Sequence, residues 1–272
     1  MPGRSSREAA PLEYEDVVLT VSEGKRLIGL GVAALPAVQR ALQSGVIGIA
    51  RGSTNGYVAE AILGRDLDRT AFTTGLTLPP GQMPGAFRHG RMMGELVVEQ
   101  GVVIAGKTTA EAARTMKPDD VLIKGANALN YRRKVAGILI ESAEGGTIAG
   151  LIGHVMGKHL HLVIPIGLEK EISADIGEVS RALAERHHQP ALGLWPVMGT
   201  IVTEIEALAT LSGAEVMQLA AGGVGGAEGS IRLLLWGTTE QIERARAVVQ
   251  RVRGELPFAE AAAAHFERYG QR

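Results

Sequence analysis

Val46-Ile-Gly-Ile-Ala-Arg-Gly-Ser-Thr-Asn-Gly56 is the stretch on which the fold turns. Its first five residues are apolar and too few for a helix, as in a strand buried on both faces. A polar turn bracketed by Gly52 and Gly56 follows, and then a helical stretch through Leu63. Strand, glycine turn and helix in that order expose backbone N–H groups at the positive end of a helix dipole, where anions are favoured. Ser53, Thr54 and Asn55 add side-chain donors and Arg51 adds a charge. The simpler reading of the same residues is a tight turn in which Ser or Thr caps the helix. Spacing alone leaves both readings open.

The alternation extends outward from this stretch. Upstream, Thr20-Val-Ser-Glu23 has the spacing of a capping box, Leu27, Leu30, Ala34, Val38 and Leu42 keep a helical step, and Gly45 is a natural stop. Downstream, strands are predicted at Ala71–Leu78, Glu95–Ile104, Val121–Lys124, Val135–Ile140 and Leu160–Ile166, with helices at Thr108–Met116, Gly146–Lys158 and Ile176–Arg186. This predicts an α/β fold whose mostly parallel sheet carries helices on both faces. After the break at Gln189-Pro190 the order becomes β-α-β-β-α. Its last helix opens on a second box, Thr238-Thr-Glu-Gln241, and the glycine run Gly222–Gly226 reads as a long hairpin turn. A small α+β, ferredoxin-like lid subdomain is therefore expected at 191–256, after a core at 14–190. Residues 1–13 read as a disordered lead-in and 257–272 as a tail or helix.

Composition narrows the function. Twenty-eight Lys and Arg against 29 Asp and Glu give a net charge of −1, so no basic field draws nucleic acid and an anion site must be local. Without cysteine, disulfides, thiolate nucleophiles and thiolate metal ligation are excluded. Met1–Glu15 carries mixed charge and no apolar core, unlike a signal peptide or membrane span, and the chain reads as cytoplasmic. No cofactor or metal is called for. Homo-oligomerisation is expected of a glycine-rich, aliphatic chain.

Other constellations compete for attention. Gly101-Val-Val-Ile-Ala-Gly-Lys-Thr108 has phosphate-loop spacing, but Val102–Ala105 reads as the end of a buried strand and no acidic residue ends a later strand to hold magnesium. His154, His159 and His161 cluster without a nearby carboxylate at ligand spacing. His89 lies in the polar stretch Phe87–Arg91 on a long loop of the sort that borders sites. Arg132, Arg133 and Lys134 either enlarge an electropositive pocket or form a solvated loop.

Gly48–Thr54 resembles the phosphate loop of A-type ribose-phosphate isomerases. Val121-Leu-Ile-Lys-Gly-Ala-Asn-Ala-Leu-Asn130 is similar to that family's strand ending in Asp-Gly-Ala-Asp-Glu, and Glu144-Gly145-Gly146 resembles its Lys-Gly-Gly segment. The likeness runs collinearly over about residues 20–255. It implies the fold shared with glucosamine-phosphate deaminases and CoA transferases. It also implies an altered chemistry, because Lys124 and Asn127 stand at the family's two aspartates and Glu144 at its lysine. No titratable group lies at Leu151–Gly153, where the family's glutamate is expected. Isomerisation of an aldose to a ketose needs a base, so ribose-phosphate isomerisation itself is not expected. A Lys124–Glu144 ion pair at the site floor is.

The resulting expectation is a protein that binds, and acts on, a small anionic metabolite, phosphorylated or carboxylated, by isomerase- or lyase-type chemistry on a carbonyl compound. Lys124, Asn127 and Glu144 are the candidate catalytic residues. Arg51, Gly52, Ser53, Thr54, Asn55, His89, Gly145 and Gly146 are the candidate binding residues. A non-catalytic sensor or structural subunit is the alternative, and CoA-ester chemistry the third.

Overall fold

The computed structural model describes residues 12–83, 85–88, 91–186 and 192–269. His89, the lead-in to residue 11 and the expected boundary at 190 lie outside them. The described elements are β1 (Glu13–Leu19), α1 (Val21–Ala34), α2 (Pro36–Ser44), β2 (Val46–Ile49), α3 (Ser53–Leu63), β3 (Leu96–Glu99), β4 (Val102–Val103), α4 (Thr109–Ala113), β5 (Val121–Ile123), β6 (Ala128–Asn130) and β7 (Val135–Ile140). They continue with α5 (Gly146–Lys158), β8 (His161–Pro165), a 3-10 turn (Leu168–Lys170), α6 (Ile176–Ala184), β9 (Gly193–Val197), β10 (Thr200–Val202), α7 (Glu204–Ser212), β11 (Glu215–Ala221), β12 (Ile231–Gly237), α8 (Thr239–Val252) and α9 (Phe258–Tyr269).

The chain is α/β with a mixed central sheet in the order β10-β8-β5-β2-β3-β4. β10, β8, β5 and β2 run parallel, whereas β2 to β3 and β3 to β4 are antiparallel. The apolar runs predicted as buried strands are buried: Ile47, Ile49, Val121, Leu122 and Ile123 are inaccessible to solvent. One hydrophobic core joins this sheet to α1, α7 and α8, and a satellite cluster of Ala128, Ile176 and Leu194 sits beneath the antiparallel sheet β6-β7-β9.

Both sequence-predicted boxes form. Thr20 N–H donates to Glu23 Oε2 at 3.0 Å while Thr20 Oγ1 accepts from Glu23 N–H at 3.3 Å, and Thr238 with Gln241 repeats the pattern. α1 then runs through the middle of the molecule against α3 and α7. Its glycines permit that approach: a Cβ on Gly31 would lie 2.5 Å from Ala207 Cα, and one on Gly29 would lie 2.7 Å from Tyr57 O.

Four expectations are corrected. Ala71–Leu78 is no strand, because Asp68 Oδ1 accepts from the N–H groups of Thr70 and Ala71 and Phe72 N–H returns to Asp68 O, closing a turn. Glu95–Ile104 is a hairpin, β3 and β4, since Gln100 and Gly101 both take positive φ (49° and 80°). Glu13, the last residue of the expected lead-in, already belongs to a strand, Glu13–Leu19, for which the sequence predicts no element; antiparallel pairing with β12 supplies its hydrogen bonds. The strands expected within one lid are shared out: β9 pairs with β7, and β11 and β12 form a third sheet with β1, while a strand not expected from the sequence, β10, joins the central sheet through β8.

Candidate functional site

The parallel strands β2, β5 and β8 end at one cleft of about 360 Å³. That volume suits a small metabolite. Arg51–Asn55 from the turn after β2, Lys124–Asn127 after β5, and Gly146–Ile148 at the start of α5 line it, with Lys170 from the 3-10 turn and Thr73–Leu76 opposite.

Backbone hydrogen bonds fix the start of the turn after β2. Ala50 N–H donates to Ile123 O at 3.0 Å and Gly52 N–H to Phe72 O at 3.0 Å. Gly56 N–H is the first to reach back, to Gly52 O at 2.9 Å, so the amides of Ser53, Thr54 and Asn55 precede the intrahelical ladder. No side chain caps α3, so the capping reading of Ser53 and Thr54 is not what forms. Instead Arg51 Nε, Thr54 Oγ1 and Asn55 Oδ1 are buried polar atoms with no protein partner, although Thr54 and Asn55 are 3% and 0% exposed. Buried polar atoms are normally satisfied, so three orphans in five residues leave hydrogen-bonding capacity unused beside the cleft. Asn55 Nδ2 is meanwhile anchored on Ala50 O at 2.7 Å, which fixes the amide with its oxygen toward Gly125.

α5 points its N-terminus at the same cleft and also lacks a capping side chain. Gly145 and Gly146 sit in the left-handed region, φ 79° and 60°, which accounts for the glycine pair as backbone geometry. By contrast α1, α4, α7 and α8 all begin on capping boxes and α6 on Asp175. α2 also lacks a capping side chain but opens on Pro36, whereas the uncapped N-termini of α3 and α5 both lie among cleft-lining residues.

Lys124 forms the floor. Its N–H donates to Val163 O, and its Nζ donates to Gly125 O at 3.0 Å. Burial lowers its pKa from 10.5 to about 8, partly opposed by the carboxylate of Glu95 and reinforced by Lys170. The expected Lys124–Glu144 ion pair is absent. A turn from Ser142 O to Gly145 N–H carries Glu144 out to solvent, into a neighbouring groove with Gly145 and Trp195. Asn127 does line the cleft, but its Oδ1 accepts from Leu139 N–H at 3.1 Å and its N–H donates to Gly137 O at 2.8 Å, so it clasps β7 to the floor.

Two charged residues at the site are not evident from the sequence. Glu95 precedes β3 and accepts from Thr109 N–H and Oγ1 at 2.9 and 2.6 Å and from Thr147 Oγ1 at 3.1 Å, tying α4 to the mouth of α5. It lines a lobe that shares Arg51, Gly146 and Thr147 with the cleft. Lys170 stands 3.8 Å from Glu169. Only strand direction could have flagged it, since it follows the carboxyl end of β8.

The competing motifs resolve into structural roles. Gly101 is a hairpin residue and Thr108 caps α4, so no loop wraps a phosphate there. Arg133 pairs with Asp175 at 3.3 Å and Lys134 with Glu206 at 2.9 Å, away from the cleft. Among the described residues no three His, Asp or Glu side chains converge as a metal site would require, and no helix is long and apolar enough to cross a membrane. No protein family, curated protein or solved structure matches the chain.

Proposed function

We propose that the chain binds a small anionic carbonyl compound, phosphorylated or carboxylated, and acts on it through the amine of Lys124. The anion lies at the N-terminus of α3, against the free amides and the orphaned polar atoms of Arg51, Thr54 and Asn55. The observation that carries the reading is Lys124 itself, a half-buried lysine on the cleft floor whose Nζ donates to Gly125 O and pairs with no carboxylate, and whose pKa of about 8 leaves part of it neutral near pH 7. The neutral amine adds to the carbonyl carbon. The carbonyl oxygen then leaves as water, and the resulting imine draws electrons from an adjacent C–H or C–C bond, which is isomerase- or lyase-type chemistry. Glu95 is the carboxylate whose field Lys124 feels, and it is the candidate to take up the proton that moves. The order β2, glycine turn, α3 and then β5, directly followed by Lys124, supports the resemblance to ribose-phosphate isomerases at the level of the core.

Pyridoxal 5′-phosphate, itself a phosphorylated aldehyde, tests this with borohydride trapping and peptide mapping. One adduct is expected, on Lys124, suppressed by millimolar inorganic phosphate and at least tenfold slower in Arg51→Ala. Phosphate that raises the melting temperature without any Lys124 adduct would leave the non-catalytic sensor as the better reading. Neither effect would remove the anion site altogether.

A further inference from the structure

The third sheet, β1-β12-β11, is covered on one side only. Val17, Leu19, Ile231, Leu233 and Leu235 point inward and are nearly inaccessible, packed against the rest of the core. Strand alternation turns the other set outward. The register places Tyr14, Trp236 and Glu215 in one row across the three strands, Asp16, Leu234 and Met217 in the next, and Val18, Arg232 and Ala220 in the third. Six of these nine side chains are apolar, with Tyr14 65% and Met217 50% exposed. Among the described residues, the helices that touch this sheet belong to its inner side, where the buried set lies.

We infer that this outer face is the contact between two copies of the chain, packed sheet on sheet. Charge selects the occupant. The face carries both signs, and Asp16 and Arg232 already form an ion pair within it. A nearly neutral apolar face of this kind does not suit nucleic acid or an anionic lipid surface, which need a basic field. It is complementary to itself, and a net charge of −1 does not hold two copies apart. Geometry selects the mode. β11 is an edge strand, but its register shifts between Gln218 and Ala220, and such a bulge twists an edge away from strand pairing. The opposite edge, β1, carries Glu13, Glu15 and Asp16. Association therefore uses the face and not the edges. Three strands at about 4.8 Å and seven residues at about 3.4 Å give an outline of roughly 14 by 24 Å. Side chains standing off that outline, Tyr14 and Met217 among them, enlarge it, and the ~800 Å² per partner of a standard interface takes in flanking surface as well.

Sedimentation equilibrium of the full chain between about 1 and 100 µM tests the inference. The wild type is expected to be a dimer, and Met217→Lys, an exposed position whose change leaves the far-ultraviolet dichroism intact, is expected to weaken it at least tenfold. Acrylamide quenching of Trp236, read in a Trp195→Phe background, is expected to fall as concentration rises through the dimerisation range. A monomeric wild type at 100 µM, an unchanged dimer in Met217→Lys, or dimerisation without protection of Trp236 would each overturn it. None of these outcomes bears on the Lys124 cleft.

Discussion

Lys124 separates holding an anion from reacting with a carbonyl. Arginine keeps the charge but cannot lose its proton, so Lys124→Arg is expected to hold inorganic phosphate within about threefold of wild type while losing the borohydride-trapped adduct entirely. Calorimetry reads the first and mass spectrometry the second. The same scale shows what the sequence discloses. Arg51–Asn55 and Lys124 are legible because a glycine turn after an apolar run fixes both position and chemistry. Glu95 and Lys170 are not, because each reaches the cleft from a segment whose local pattern says only that a strand begins or has ended. Glu144 misleads for a related reason: residues adjacent in sequence to Gly146 are divided by the left-handed backbone between two grooves.

At the scale of elements, α3 is clamped at the end away from the cleft. Tyr57 lies between two guanidinium groups, Arg26 at 4.7 Å and Arg69 at 4.3 Å from its ring centre, and both arginines bridge Glu60 and Glu255. Glu60 is 6% exposed, so Glu60→Gln leaves buried positive charge partly unmatched and is expected to cost about 2–4 kcal/mol in chemical denaturation. Gly31→Ala drives a methyl into the backbone of α7 and is expected to cost about 1–3 kcal/mol by the same measurement. Element identity was largely readable here: α1 and α8 announce themselves by their boxes. Element pairing was not. Nothing local in Glu13–Leu19 says that its partner is β12, and Ala71–Leu78 has a strand's composition but a turn imposed by Asp68.

For the molecule as a whole, stability against pH follows from Glu204, Lys25 and the cleft's own Lys124. Burial raises Glu204 from 4.5 to about 8, with Glu169 adding repulsion and Leu168 N–H opposing it at 2.9 Å. Burial lowers Lys25 and Lys124 from 10.5 to about 8. Between pH 4.5 and 8 the folded chain holds a proton on Glu204 that the unfolded chain has lost, so this group makes stability fall as pH rises. Between pH 8 and 10.5 the unfolded chain is the better proton binder at the two lysines, so their contribution makes stability rise. A shallow minimum near pH 8 is expected in a plot of melting temperature against pH. Glu204→Gln should raise the melting temperature there by about 5 °C and leave it unchanged near pH 4.5.

The pairing of β1 with β12 also sets an order in time. Leu19 meets Ile231, and Glu23 accepts from Gly254 N–H at 3.0 Å, so the first described strand waits for the last. A ribosome delivers roughly 5–20 residues each second, so β1 spends about ten seconds or more with an unpaired edge before its partner exists. The parallel strands around Lys124 need no such delay beyond β10. During synthesis the cleft can take shape first and the aromatic outer sheet last, which leaves the association surface absent until the rest of the molecule is in place.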